Sequence, residues 1–205
     1  MHKIFDGVLQ FKEEDFESHK ELFEELKEEQ NPHTFYIGCS DSRIIPNLIT
    51  KTLPGEVFVL RNIANIIPPY SINDATYKCS ASVLEYAVQA LEVENIVICG
   101  HSNCGGLKAL YYPQEKLNKM PLITKWLDIV SDLKEKLSFI EDTKLRAWQL
   151  EQLNILKQIE NLLSYPFVKE KYEKKELKIY GWYYIIETGE VYNYNFNTKK
   201  FELIS

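Results

Sequence analysis

The sequence has no apolar run approaching the roughly 20 residues that a membrane helix needs, and its first residues, Met1 to Asp6, lack the apolar core of a secretion signal. It has no excess of positive charge. Lys and Arg number 24 against 30 Asp and Glu, interleaved along the chain, so nothing resembles a nucleic-acid-binding face. Cysteine is scarce: four in 205 residues, without a Cys-x-x-Cys pair or a disulfide-like framework, which fits a reducing compartment. No Gly-x-Gly-x-x-Gly follows an apolar run, which removes the usual signal for a dinucleotide. There is no internal repeat, low-complexity stretch or linker. These absences predict one domain over residues 1–205, cytoplasmic, with neither nucleic acid nor membrane as partner.

What is present is rich in aromatics (13 Tyr, 10 Phe, 3 Trp), enough to build a sizeable core. The first thirty residues predict helices, with Phe5, Val8 and Leu9 on one apolar face and Phe16, His19, Leu22, Phe23 and Leu26 on a second. Asn31-Pro32 ends them. Short apolar runs at Thr34–Ile37, Val57–Leu60 and Asn95–Cys99 predict buried strands, and Pro46 opens a short helix. A helix is predicted over 74–91, with Cys79, Val83, Leu84, Ala87 and Leu91 on one side. Others are predicted over 105–112, from Pro121, and over 142–163, the last with Leu145, Trp148, Leu153, Leu156, Ile159 and Leu163 inward. Lys178–Ile186 and Val191–Phe196 flank the turn signal Thr188-Gly189. Strands alternating with helices predict an α/β fold: a mainly parallel sheet flanked by helices, with an antiparallel edge hairpin at the C-terminus.

Two strand ends concentrate the chemistry. The first runs Gly38-Cys39-Ser40-Asp41-Ser42-Arg43, with Gly38 expected to turn the backbone. The second runs Gly100-His101-Ser102-Asn103-Cys104-Gly105-Gly106. Open α/β sheets bind ligands beyond the carboxyl ends of their strands. His101 and Cys104, three apart on one turn, suit a tetrahedral metal, and Cys39 supplies a third ligand. A Cys₂His set with one open position is the arrangement of a catalytic zinc. Cys79 and Cys99, inside a helix and a strand, read as small buried hydrophobes. Asp41 and Arg43 read either as a surface ion pair, which would contribute little, or as a carboxylate beside the metal gripped in a bidentate fork.

Rival motifs fail on spacing. A Cys-x₅-Arg phosphate loop from Cys39 would need Arg where Ile45 stands. A nucleotide loop from Gly100 would need Lys-Ser/Thr where Gly106-Leu107 stand. A metal-free hydrolase with Cys104 or Cys39 as nucleophile and His101 as base stays open.

Six segments in order, Cys39-Ser40-Asp41-Ser42-Arg43, Pro54-Gly55-Glu56, Arg61-Asn62-Ile63-Ala64-Asn65, Glu85-Tyr86-Ala87-Val88, Cys99 to Gly106 and Asn161 to Val168, resemble the β-class carbonic anhydrases from about Gln30 to the last hairpin. The resemblance implies one Zn²⁺ per chain on Cys39, His101 and Cys104, with Asp41 and Arg43 as the catalytic pair. It also implies a substrate pocket with Gln30 donating to a substrate oxygen, Phe58 and Tyr86 as apolar wall, and Gly105 beside the metal loop. The implied activity is reversible hydration of carbon dioxide to bicarbonate by a zinc-activated hydroxide. A hydrolase of carbonyl sulfide or carbon disulfide on the same site, or a non-catalytic zinc or bicarbonate sensor, remains an alternative. The family builds its pocket at a subunit interface, so the resemblance implies a homodimer or dimer-based oligomer whose N-terminal helices, about 1–30, wrap the partner.

Some members of that family also hold bicarbonate at a regulatory site made by a tryptophan, an arginine and a tyrosine. Arg61 and Tyr184 fall on the latter two positions, but Tyr36 stands where the tryptophan would be. The expectation is an always-open site with Asp41 held by Arg43.

Overall fold

The computed structural model describes residues 2–71 and 77–205. Six strands form one sheet: β1 Thr34–Cys39, β2 Val57–Asn62, β3 Asn95–His101, β4 Lys178–Tyr184, β5 Val191–Asn195 and β6 Lys200–Leu203, in the order β2-β1-β3-β4-β5-β6. The first four run parallel, and β5 and β6 add an antiparallel edge, as the alternation of periods predicts. Thr188-Gly189 does turn between β4 and β5, with Gly189 at φ 77°. The last strand, β6, goes beyond the expected hairpin: Lys-Phe-Glu-Leu is too short and too polar to announce itself.

The connection from β1 passes to one neighbour and the connection from β3 to the other. The crevice where they part lies between the carboxyl ends of these two strands, the position at which such sheets bind ligands. Parallel register sets Gly38 beside Cys99, so the chain ends of β1 and β3 emerge side by side.

The helices are α1 His2–Gln10, α2 Lys20–Glu25, α3 Pro46–Thr50, α4 Lys78–Glu85, α5 Gly105–Lys108, α6 Gln114–Leu117, α7 Pro121–Leu127, α8 Asp132–Lys136, α9 Thr143–Leu163 and α10 Pro166–Glu173. Asp142 caps α9, its Oδ1 accepting from the backbone of Lys144 and Leu145. That helix lies against β3 and β4 because Gly100 and Gly181 leave room: a Cβ at either would come within 2.9 Å of Ile155. Phe35, Ile37, Ile96, Ile98, Ile155, Leu162 and Ile179 make the core between them. On the other face Tyr36, Val97 and Cys99 are buried, while Val57, Val59, Tyr180, Trp182 and Tyr184 stay half-buried. Among the described residues no helix is long and apolar enough to cross a membrane.

Several expectations are corrected. The inward stripe of α9 runs through Leu150, Glu151, Asn154, Ile155, Gln158, Ile159, Asn161 and Leu162; Ile159 is inward as expected, whereas Leu145 and Trp148 are 45% exposed. Polar side chains occupy the inward face there because loop backbones satisfy them, so counting leucines misplaces the stripe. Cys79 is exposed, Ser80 and Leu84 taking the buried positions of α4. The start of the 74–91 helix lies partly outside the described residues. Gly38 is not a turn but sits within β1 under the Tyr36 ring, and β3 continues past Cys99 through His101. The first N-terminal apolar face is left largely open among the described residues: Ile4, Phe5, Val8 and Leu9 are 59–76% exposed.

Candidate metal centre

Cys39 ends β1 and His101 ends β3, and Cys104 follows on the turn into α5. Their three ligand atoms lie within 4.8 Å of one another, all buried. The two sulfurs are 3.9 Å apart. Two bonds of about 2.3 Å at a tetrahedral angle separate thiolates by about 3.8 Å, so the pair is spaced for zinc.

His101 is oriented for the same purpose. Its Nδ1 lies 3.0 Å from the Ser102 carbonyl, which can only accept, so Nδ1 carries the proton and Nε2 is left bare. Nε2 is buried and has no hydrogen-bond partner among the described residues. An unsatisfied buried group costs about 1–3 kcal/mol, and a metal ion between Nε2 and the sulfurs would remove that cost.

The sulfurs are readied as a pair. Chiefly a hydrogen bond from Cys104, with the backbone N–H groups of Asp41 and Ala64, holds the Cys39 thiol well below its ordinary range, against burial. The thiolate at Cys39 in turn pushes the Cys104 thiol up, although the N–H groups of Leu107 and Gly106 oppose it. A divalent cation relieves that second ionisation, which is how such sites couple metal binding to proton release.

Asp41 and Arg43 form the expected fork: Arg43 Nε donates to Oδ1 at 2.9 Å, Nη2 to Oδ2 at 2.7 Å, and the Arg43 backbone N–H to Oδ1 at 3.0 Å. Chiefly through these side-chain bonds, the guanidinium holds the Asp41 carboxyl well below the usual carboxylate range. Asp41 Oδ2 is 4.0 Å from His101 Nε2, so the carboxylate borders the open side of the triad while turned toward the arginine. Gly105 follows Cys104 at the start of α5, and among the described residues a Cβ there would meet nothing within 4 Å.

The chain does not bring the remaining pocket residues to its own triad. Phe58 and Tyr86 do pair, their rings 5.9 Å apart. But Phe58 registers with Phe35, four residues before Cys39, a displacement of about 13 Å along the strand. Gln30 stands exposed on the link between α2 and β1.

Arg61 does work the sequence alone did not disclose. Its Nε donates to the Cys39 carbonyl at 2.9 Å and its Nη2 to the Asp41 carbonyl at 2.7 Å, bracing the loop that carries both residues. Tyr36 is fully buried, and burial keeps its phenol protonated. Glu151, which the sequence reading does not single out, is buried behind Cys104, whose N–H it accepts at 3.0 Å. The one signal for it was an acid flanked by Leu150 and Leu153.

The carbonic anhydrase family model matches residues 34–191, which contain every ligand of this centre. A carbonic anhydrase of Helicobacter pylori (strain J99) is 45% identical over 208 residues, spanning 98% of this chain and 94% of its own length. A solved β-carbonic anhydrase, CcaA, is similar over 100% of this chain and 99% of its own, with a TM-score of 0.92 at 36% identity. Two solved enzymes of Sordaria macrospora, described as tetrameric β-carbonic anhydrases, are represented by a match with a TM-score of 0.79 at 31% identity, over 94% of this chain and 95% of that one.

Proposed function

Because the chain belongs to the β-class carbonic anhydrases, zinc enzymes that interconvert carbon dioxide and bicarbonate, we propose a division of that work among its residues in which Asp41 orients the attacking water and Arg43 keeps Asp41 in place. Cys39, His101 and Cys104 fit one zinc ion by spacing, burial and donor type. When bound, zinc supplies a Lewis acid that brings the pKa of a water toward neutrality.

The rest belongs to the chain. Asp41, ionised throughout the working range, accepts a hydrogen bond from that water and so points its lone pair at the carbon of carbon dioxide. Arg43 occupies both carboxylate oxygens, which keeps Asp41 from taking the open coordination position itself. Gly105 leaves space for the substrate. Gln30 donates to the substrate oxygen that gains charge, and Phe58 with Tyr86 forms the wall that excludes competing water. The register of Phe58 with Phe35 supports a role for these three across a subunit interface rather than at their own triad.

The chain is thus read as one domain that works as a homodimer or a dimer-based oligomer in the cytoplasm. The exposed apolar face of α1 supports docking of the N-terminal helices on a partner. The observation that carries the catalytic reading is the Arg43 fork on a carboxylate 4.0 Å from His101 Nε2. Stopped-flow hydration of carbon dioxide by Asp41→Asn tests it. Zinc retained with turnover cut about 10–100-fold supports the role; near-parental turnover contradicts it.

A further inference from the structure

Four polar side chains line the buried face of α9 at helical spacing: Glu151, Asn154, Gln158 and Asn161, none more than 6% exposed. Buried polar groups are costly unless paired, and each of these bonds the backbone of a loop segment. Glu151 is the most expensive, a carboxylate whose oxygens go to two neutral donors, the Cys104 N–H at 3.0 Å and the Tyr183 hydroxyl at 2.8 Å. A leucine there would leave the Cys104 N–H and the Tyr183 hydroxyl without this acceptor, at about 1–3 kcal/mol for each donor left unsatisfied.

One helical turn on, Asn154 Nδ2 donates to the Ala64 carbonyl at 3.0 Å, and Gln158 Nε2 donates to Asn154 Oδ1 at 2.9 Å, fixing which way the amide points. Ala64 belongs to the strap that follows β2 and has φ 62°, a left-handed conformation that costs a residue with a Cβ about 1–2 kcal/mol. It persists only if something holds it, and Asn154 does. The held strap packs in one buried cluster with Cys39 and Cys104, Ala64 being fully buried there. It also packs on the metal loop so closely that a Cβ at Gly106 would stand 3.2 Å from Ala64.

We propose that Glu151 and Asn154 are positioning residues of the metal centre: from one turn of α9 they hold the Cys104 loop and the Ala64 strap, setting the separation of the two thiolates before zinc binds. The proposal rests on the zinc reading of Cys39, His101 and Cys104. Neither residue touches the metal or the substrate; each acts through the backbone of the segment it grips. Asn161 makes the same kind of bond two turns further along, to the Ile67 carbonyl at 2.7 Å, and also donates to Gln158 Oε1 at 3.2 Å; it bonds neither the Cys104 loop nor Ala64 and so serves as the comparison within the helix.

The test measures zinc affinity by competition with a chromophoric chelator, the ligand-field spectrum of the cobalt(II)-substituted protein and the melting temperature of the metal-free protein. Glu151→Leu and Asn154→Ala are expected to weaken zinc about 10–100-fold and to shift the cobalt bands. Glu151→Gln, whose amide oxygen still accepts from Cys104, is expected to recover most of the affinity. Asn161→Ala is expected to melt lower yet bind zinc within about twofold of the parent, since it disturbs the same helix without touching either thiolate segment. Parental zinc affinity in both Glu151→Leu and Asn154→Ala would overturn the proposal, as would an equal loss in Asn161→Ala. Should Glu151→Leu not fold, the smaller Asn154→Ala decides alone. Cys104→Ala distinguishes the premise: if that variant keeps stoichiometric zinc, the ligand assignment is at fault and not the role of α9.

Discussion

Asp41 is gripped at both oxygens by one guanidinium, and this governs its behaviour with pH. Its folded pKa lies below its unfolded one, so its contribution to stability is complete above the ordinary carboxylate range and is lost only as pH falls through the lowered folded value. Protonation of Asp41 itself therefore lies below the working range. Arg61 adds to this, because its guanidinium is engaged by the Cys39 and Asp41 carbonyls and Tyr36 stands buried in the tryptophan position. The rate of carbon dioxide hydration should rise toward alkaline pH with the slope of a single proton. A steeper, cooperative rise, with bicarbonate as non-competitive inhibitor, would show that a regulatory site survives at Tyr36, Arg61 and Tyr184. The cysteines give a second prediction at this scale. In the zinc-loaded protein a thiol-alkylating reagent should modify Cys79 and spare Cys39, Cys99 and Cys104, which are at most 3% exposed; peptide mass mapping reads this, and alkylation of Cys104 ahead of Cys79 would contradict it. The three ligands were legible because their chemistry is local: a thiol and a His-x-x-Cys turn at strand ends. Cys79 was not, since exposure depends on which face of α4 meets the sheet.

Among elements, the strands were legible wherever an apolar run ended in glycine or a polar cluster, and α9 was legible by its length and its Asp142 cap. The face of α9 was not. Leucine spacing put Leu145 and Trp148 inside, whereas the buried stripe is half polar, and only the loops facing it explain Glu151 and Asn154. The first N-terminal helix is the reverse case, with a readable apolar face left largely exposed among the described residues. Phe5→Glu combined with Leu9→Glu should shift the protein to smaller species in analytical ultracentrifugation while zinc content stays at one per chain. An unchanged sedimentation profile would remove those helices from the interface.

For the whole molecule, topology brings the triad to the crevice between β1 and β3, while Gln30, Phe58 and Tyr86 lie elsewhere on the chain. If the pocket is shared between subunits, two inactive variants should complement each other. Phe58→Asp combined with Gln30→Ala removes one half of the pocket, and Cys39→Ala removes the metal. Refolded together, they should regain a fraction of parental turnover that neither has alone; no gain in verified mixed dimers would place the whole pocket within one subunit. The most direct test of the account compares stopped-flow carbon dioxide hydration by the zinc-loaded chain with that by Cys104→Ala, zinc being quantified in both samples. The account predicts one zinc per chain with rapid hydration in the parent, and loss of both in the variant. Rapid hydration by a Cys104→Ala protein that retains its zinc would contradict it.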